Sequence, residues 1–396
     1  MFFLANRKDQ EHLVSRRFYL DKLSEFAGQG KNVALVGPHK SGKTSLLKEI
    51  LLTLEKDNGL LPVYIGLNRT STPPENFSIE LTGGICFWSL KAFPNQFLKF
   101  QNIDHLLSLR EKIGKNAAAI IDIINAELQK IKPDQKLMVG KAFEFASEIA
   151  KFNKKRLVLI LDDFDSIFEI NNFSQIKDVL SLINFRDKNV TYMISTSYKK
   201  MLLDNLGDKA KDFSVVEMLG LTSEETQKIA GRIIGTPQLD KKVLDDILDM
   251  THGIPILVNA LSARYKQMHD VRKAFLVEMT YRNSTTWQYL DSMLNDFFYH
   301  ARGESMPKTV IKVMAFMKDA RLTEISRKIY RTAPVTKSLL ERIMQVGMIS
   351  KVENKYQFSN AILKQWLRLV HSGLEFDDIP SDEILRQAEE VLNEPQ

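Results

Sequence analysis

Val33-Ala34-Leu35-Val36-Gly37-Pro38-His39-Lys40-Ser41-Gly42-Lys43-Thr44-Ser45-Leu46-Leu47 is the stretch that decides the fold. Its opening apolar residues read as a buried strand, and an apolar pattern of helical period resumes after Thr44. Between them the spacing is Gly-x4-Gly-Lys-Thr, that of a phosphate-binding loop. Gly37 and Gly42 are needed because backbone N–H groups must close around an anion with no Cβ in the way. Pro38, His39, Lys40 and Ser41 would complete the cradle, and the helix opening at Lys43, Thr44 and Ser45 would aim its N-terminal dipole at the same phosphates. Lys43 would reach the β- and γ-phosphates, and the Thr44 hydroxyl would ligate Mg²⁺. The bare pattern should arise by chance in about one per cent of chains this long. With a strand before it and a helix after it, a nucleotide-binding loop is predicted.

Upstream of the loop, a helix is expected through Leu20, Leu23 and Phe26, ending near Gly28-Gln29-Gly30. Downstream, Asp57-Asn58-Gly59 turns the chain into a second strand at Leu61–Ile65, which makes a parallel βαβ unit. Residues 68–150 read as helices broken at Pro73-Pro74, Pro94 and Pro133, with no visible chemistry. Arg156-Leu157-Val158-Leu159-Ile160-Leu161-Asp162-Asp163-Phe164-Asp165 then reads as a central strand, buried on both faces and ending in acids. Ligands of open α/β sheets bind at the carboxyl ends of strands, where buried acids need partners. Asp162 is assigned to the metal, directly or through water, and Asp163 to orienting the attacking water. Asp165 reads first as the N-cap of a helix starting at Ser166 and second as catalytic. A fourth strand over Val190–Ile194 ends in Ser195-Thr196-Ser197, where the Thr196 hydroxyl could sense a γ-phosphate or cap the next helix. A fifth strand is expected over Val215–Met218.

The chain has 396 residues, of which 44% are hydrophobic and 26% charged, the proportions of a soluble protein with two or three domains. No apolar run approaches the ~20 residues of a membrane span, and Met1-Phe2-Phe3-Leu4 is too short for a signal peptide. A single cysteine, Cys86, precludes an internal disulfide framework and fits a reducing cytoplasm. The seven histidines are scattered, with no zinc spacing, so any metal is expected to arrive with a nucleotide. The net charge of +6 is uneven: residues 301–370 hold 14 Lys/Arg against 5 Asp/Glu, and residues 373–396 hold 1 against 8.

From Thr222 the pattern turns helical, interrupted at His252-Gly253-Ile254-Pro255, with Trp287 and Phe297-Phe298-Tyr299 read as core. Between Pro307 and Leu369 three helices are expected: Val310–Met317, one from Leu322 to near Tyr330, and one after Thr332–Thr336 that Gly347 stops. Two short strands follow, 348–352 and 355–358, turning at Glu353-Asn354. This order predicts a winged helix-turn-helix with its third helix in the major groove of double-stranded DNA. Thr336, Lys337 and Arg342 would face DNA, and Lys351 and Lys355 on the wing would touch phosphate. A winged helix serving only protein contacts is the other reading. The acidic end reads equally as a docking helix or a solvated tail.

Taken together, these parts resemble the archaeal and bacterial ATPases related to AAA+ proteins and to the STAND class, relatives of the archaeal origin-recognition ATPases. Val14-Ser15-Arg16 is similar to the family's Val-Gly-Arg motif, Gly37–Thr44 to its Walker A, Leu159–Phe164 to its Walker B, and Gly253-Ile254-Pro255 to its Gly-x-Pro. Tyr356–Leu367 looks like its wing and closing helix. The resemblance implies ATP with Mg²⁺, and places Arg16 and Pro255 beside the nucleotide. It implies an extension over 1–12, a P-loop α/β domain over 13–218, a helical lid over 219–300, a winged helix over 301–372 and an acidic tail over 373–396. Asp163 stands where the family has glutamate, Ser15 where it has glycine, and no arginine follows Pro255 until Arg264. Ser197 stands where signalling relatives often carry arginine. These departures imply slow hydrolysis and suit a nucleotide-controlled switch, one that, with the basic surplus of 301–370, would act on DNA or through subunit assembly into an oligomer. The alternative is a signalling scaffold whose winged helix contacts a protein client.

Overall fold

The computed structural model describes residues 16–70, 72–301, 305–376 and 380–394. The expected 1–12 extension, and Val14 and Ser15 with it, lie outside the described residues. The chain divides into two compact units. One comprises the residues up to Gly37, Gly42–Ser197 and Leu202–Met218; the other comprises Pro38–Ser41, Tyr198–Met201 and everything from Leu219.

The first unit is built on a sheet. In chain order its principal elements are α1 (Arg17–Gln29), β1 (Asn32–Val36), α2 (Lys43–Leu54), β2 (Leu60–Gly66), α3 (Pro74–Ser89), α4 (Lys115–Leu128), α5 (Gln135–Asn153), β3 (Arg156–Asp162), β4 (Val190–Thr196) and β5 (Phe213–Glu217). The strands pair in the order β2-β3-β4-β1-β5, every pair parallel, with Ala34 opposite Ile194 and Val215. A parallel sheet covered on both faces needs strands that are apolar throughout, which is why β1 to β4 read as unbroken runs. Successive residues point to opposite faces. Val33, Leu35, Val158 and Ile160 pack with Leu23 of α1 and Leu47 and Ile50 of α2. Ala34, Val36, Leu159 and Leu161 pack with Leu81 of α3, Ile121 of α4 and Phe145 of α5. The long helical stretch after β2 is therefore the cover of one sheet face.

The second unit is helical, with one small sheet. It contains α6 (Ser223–Ile234), α7 (Lys241–Thr251), α8 (Pro255–Met268), α9 (Val271–Thr280), α10 (Thr285–His300), α11 (Ser305–Ala315), β6 (Ala320–Arg321), α12 (Leu322–Lys328), α13 (Ala333–Gln345), β7 (Ile349–Val352), β8 (Lys355–Phe358), α14 (Ala361–Val370) and α15 (Asp382–Asn393). Thr222 and Glu225 form a capping box at the head of α6. Within the aromatic cluster, Phe297 and Phe298 are buried while Tyr299 is exposed.

Three local differences from the sequence reading matter. First, α13 starts at Ala333, not beyond Thr336, because Pro334 is tolerated in a first turn whose N–H groups have no partner. Second, β7 and β8 gain a two-residue partner, β6, too short to carry a periodic signal. Third, α15 docks. Leu385 and Ala388 are buried, Glu389 pairs with Arg272 at 3.1 Å, and the guanidinium of Arg368 donates to the carbonyls of Val391, Leu392 and Glu394. Among the described residues, no helix is long and apolar enough to cross a membrane.

Candidate nucleotide site

β1 ends at Val36 and the chain enters the loop at Gly37, whose N–H donates to the Thr196 carbonyl of β4 at 3.3 Å. The loop closes at Gly42 with φ +96°, a conformation a residue bearing Cβ reaches only with strain. Lys43 opens α2 and is buried. Its Nζ donates to the Gly37 carbonyl at 3.0 Å and to the Ser197 hydroxyl at 2.8 Å. Thr44 and Ser45 follow, half-buried, in the first turn of α2. The ammonium is thus folded back over the mouth of its own loop. Pro38–Ser41 group with the helical unit, with Lys40 at φ +55°.

The acidic side is built by β3 and its neighbours. Asp162 is buried, and its two oxygens accept hydrogen bonds from the Tyr64 hydroxyl of β2, at 2.7 Å, and from the Ser195 hydroxyl of β4. Burial first, and then the charge of Asp162, push the Tyr64 phenol far above its ordinary value, so it stays a donor. Asp163 has φ +52°, and its N–H donates to the Ser195 oxygen at 3.1 Å. Ser195 thereby links the Asp162 carboxylate to the backbone of Asp163. Asp165 accepts from the Thr196 hydroxyl at 2.7 Å.

The strand order explains this network. β4 lies between β1, which feeds the loop, and β3, which carries the acids. Three consecutive hydroxyls at its end therefore reach three partners: Ser195 to Asp162, Thr196 to Asp165, and Ser197 to Lys43. Two sequence expectations change here. Thr196 has a single hydroxyl proton and places it on Asp165, and the hydroxyl that Lys43 meets is that of Ser197. Asp165 is not an N-cap: the helical turn begins at Phe164, with Asp163 in the cap position. Ser197 and Tyr64 were missed because their roles depend on which strands are neighbours.

The remaining expected residues are distributed through both units. Arg16 is buried ahead of α1, its guanidinium 5.6 Å from the Tyr19 ring centre. Pro255 is the first residue of α8. Just before it, Gly253 takes φ +65°, and its carbonyl accepts the Leu221 N–H at 2.7 Å. A Cβ on Gly253 would lie 2.6 Å from the Leu221 backbone, so this glycine permits a close crossing of two chain segments. Arg264 pairs with the buried Glu278 at 3.0 Å.

In the C-terminal part, Thr336 is fully buried, its hydroxyl on the Thr332 carbonyl, because the earlier start of α13 turns it inward. It cannot face DNA. Arg342 donates twice to the Ala301 carbonyl, at 2.9 and 2.6 Å, which holds its guanidinium within the unit. Lys337, Lys351 and Lys355 are exposed. Lys355 pairs with Asp319 at 3.0 Å, Lys337 lies 3.8 Å from Glu341, and Lys351 lies over the Tyr356 ring.

No family model matches the sequence, and no curated protein matches it. Among solved structures, the chain is similar to the Walker-type ATPase PABY2304 of Pyrococcus abyssi, with 15% identity and a TM-score of 0.59 over 90% of this chain and 97% of that one. The fold is that of a P-loop NTPase. Weaker likenesses reach the Aeropyrum pernix ORC1 protein in complex with DNA, with 12% identity and a TM-score of 0.43 over 90% of this chain and 93% of that one. Cdc6p of Pyrobaculum aerophilum gives 11% and 0.38 over 96% and 95%. At these identities the likeness concerns fold alone, and the Pyrococcus structure carries it.

Proposed function

We propose that this P-loop NTPase is an AAA+-related ATPase that binds ATP with Mg²⁺, hydrolyses it slowly and acts as a nucleotide-controlled switch. The observation that supports it is Lys43, buried behind the left-handed Gly42 and joined through Ser197 to the strand whose other hydroxyls hold Asp162 and Asp165. A phosphate would give the Lys43 ammonium a charge-assisted partner, stronger than the neutral Gly37 carbonyl and Ser197 hydroxyl it meets. The residues also fit a magnesium ion. A carboxylate offers about four lone-pair sites, and Asp162 uses two of them on the Tyr64 and Ser195 hydroxyls, leaving the others for a metal or its water. The ion would supply charge neutralisation along the phosphates. Asp163 would orient water. Its side chain is one methylene shorter than glutamate and leaves a left-handed residue, which favours slow turnover and long-lived nucleotide states.

Loss of fluorescent ATP binding in Lys43→Ala, together with intact binding and abolished turnover in Asp163→Asn, is the expected pattern. Unchanged turnover in Asp163→Asn would remove that residue from the reaction.

For residues 305–370 the arrangement of α11 to α14 around β6, β7 and β8 supports a winged-helix reading, with the exposed Lys337, Lys351 and Lys355 directed to DNA phosphates. A protein-docking role is the second reading. Tyr330, between α12 and α13, and Val335, in the first turn of α13, are large apolar side chains 87% and 46% exposed, and favour it.

A further inference from the structure

We propose that α10 couples the phosphate loop to α13, with Tyr289 and Asp296 as positioning residues for the loop; this rests on the nucleotide reading above. The loop segment Pro38–Ser41 belongs by its contacts to the helical unit, and α10 supplies the grip. The Tyr289 hydroxyl donates to the carbonyl of His39 at 3.0 Å. Two turns further along the same helix face, the Asp296 carboxylate lies 3.4 Å from His39 Nε2 and accepts the Tyr198 hydroxyl. The His39 ring also stands edge-on to Tyr198 and Phe297, with centroids 5.2 and 5.9 Å away. One loop residue is therefore hydrogen-bonded at its main chain and contacted at its side chain by a single helix.

The grip on the carbonyl has a direct chemical meaning. In an anion-binding loop the N–H groups converge on the ligand, so neighbouring carbonyls must point away from it. Fixing the outward carbonyl of His39 fixes the plane of the peptide whose N–H belongs to Lys40. The buried hydroxyl of Tyr289 stays protonated, since burial raises it above its ordinary value.

The far end of α10 is tied as firmly. Its last carbonyls have no partner within the helix, and that of Ala301, in the C-cap position, accepts both Nε and Nη2 of Arg342 in α13. Tyr289 and Ala301 lie twelve residues apart, about 18 Å along the helix axis. A helix of that length moves as one body. A nucleotide that reshapes the loop at His39 would be felt at Arg342, and a ligand bound at α13 would change nucleotide affinity by the same factor.

The test uses the full chain, with a fluorescent ADP titrated in the presence of Mg²⁺ and amide hydrogen exchange followed over residues 333–345. In the parent chain ADP should slow exchange in that segment. Tyr289→Phe, which keeps the ring and removes the hydroxyl, should weaken ADP about five- to tenfold and abolish the response. Arg342→Gln should still bind ADP but lose the response, and Arg342→Lys, able to donate one bond, should restore part of it. If Tyr289→Phe does not fold, Asp296→Asn carries the same expectation. ADP binding with an unaltered exchange response in these variants would overturn the coupling while leaving the nucleotide reading intact. No ADP binding by the parent chain would overturn both.

Discussion

Ser197 and Thr196 are adjacent hydroxyls with opposite engagements, and that difference is measurable. Ser197 accepts from Lys43 and keeps its own proton for a ligand, whereas Thr196 gives its proton to Asp165. Ser197→Ala should weaken ATP about ten- to a hundredfold, the worth of one hydrogen bond to a charged group, with little change in melting temperature. Thr196→Val should instead lower stability by about 1–2 kcal/mol, because the Asp165 carboxylate loses one of its donors. Equal effects on ATP affinity would mean that both hydroxyls face the nucleotide. At this scale the sequence was informative where chemistry is local: Lys43, Thr44 and the left-handed Gly42 follow from one contiguous motif. It was uninformative for Tyr64, since a tyrosine in an apolar strand carries no sign that an acid on the neighbouring strand will accept its hydroxyl. Thr336 misled for a related reason, as the first turn of α13 could not be timed to the residue from a Thr-Ala-Pro-Val-Thr run.

Elements were legible in proportion to their length and periodicity. β1 to β4 stand out as apolar runs and β5, broken by Ser214 and Glu217, less so. The strand order does not show in the sequence, and it is what brings β4's hydroxyls between lysine and acids. The acidic end shows the same limit: its charge suggested a solvated tail as readily as a helix, and the decision came from Arg368, a residue outside it. Arg368 is buried and closes the last carbonyls of α15. Arg368→Met should cost about 2 kcal/mol by leaving several of those groups without their donor, seen as a lower melting temperature. Next to α14 lies His371, whose imidazole is pushed below its ordinary value by burial first and then by Lys312 and Lys308. It is neutral in the fold and charges more readily when unfolded. Its contribution is therefore full above about pH 6.5 and is lost as the pH falls through the lower folded value. His371→Gln should flatten the acid side of the melting-temperature profile below that pH; a parallel profile would exclude His371 as its source.

At the scale of the whole molecule, the question is what the C-terminal helices and hairpin meet. Duplex DNA binding measured across a salt series separates the two readings. Contacts from Lys337, Lys351 and Lys355 would give a log–log slope of about −2 to −3, near 0.9 per phosphate neutralised, and a triple Lys→Gln variant should bring it close to zero. Affinity that ignores salt, or no affinity at all, would leave a protein partner. The basic surplus of residues 301–370 made DNA the first expectation, yet Arg342 shows that a cation counted in sequence can be spent inside the fold.

The place of β1 in its sheet has a consequence for how the chain is made. β1 ends at Val36, but the strands on either side of it are β4 and β5, which end at Thr196 and Glu217. A ribosome adding 5–20 residues per second needs roughly 10–40 s to cover that interval. Throughout it, the nascent chain carries the whole nucleotide-binding motif with neither flanking strand to hold it. Ribosome-bound chains stalled before residue 190 should therefore be unable to retain ATP, and capacity should appear only after β5 has emerged.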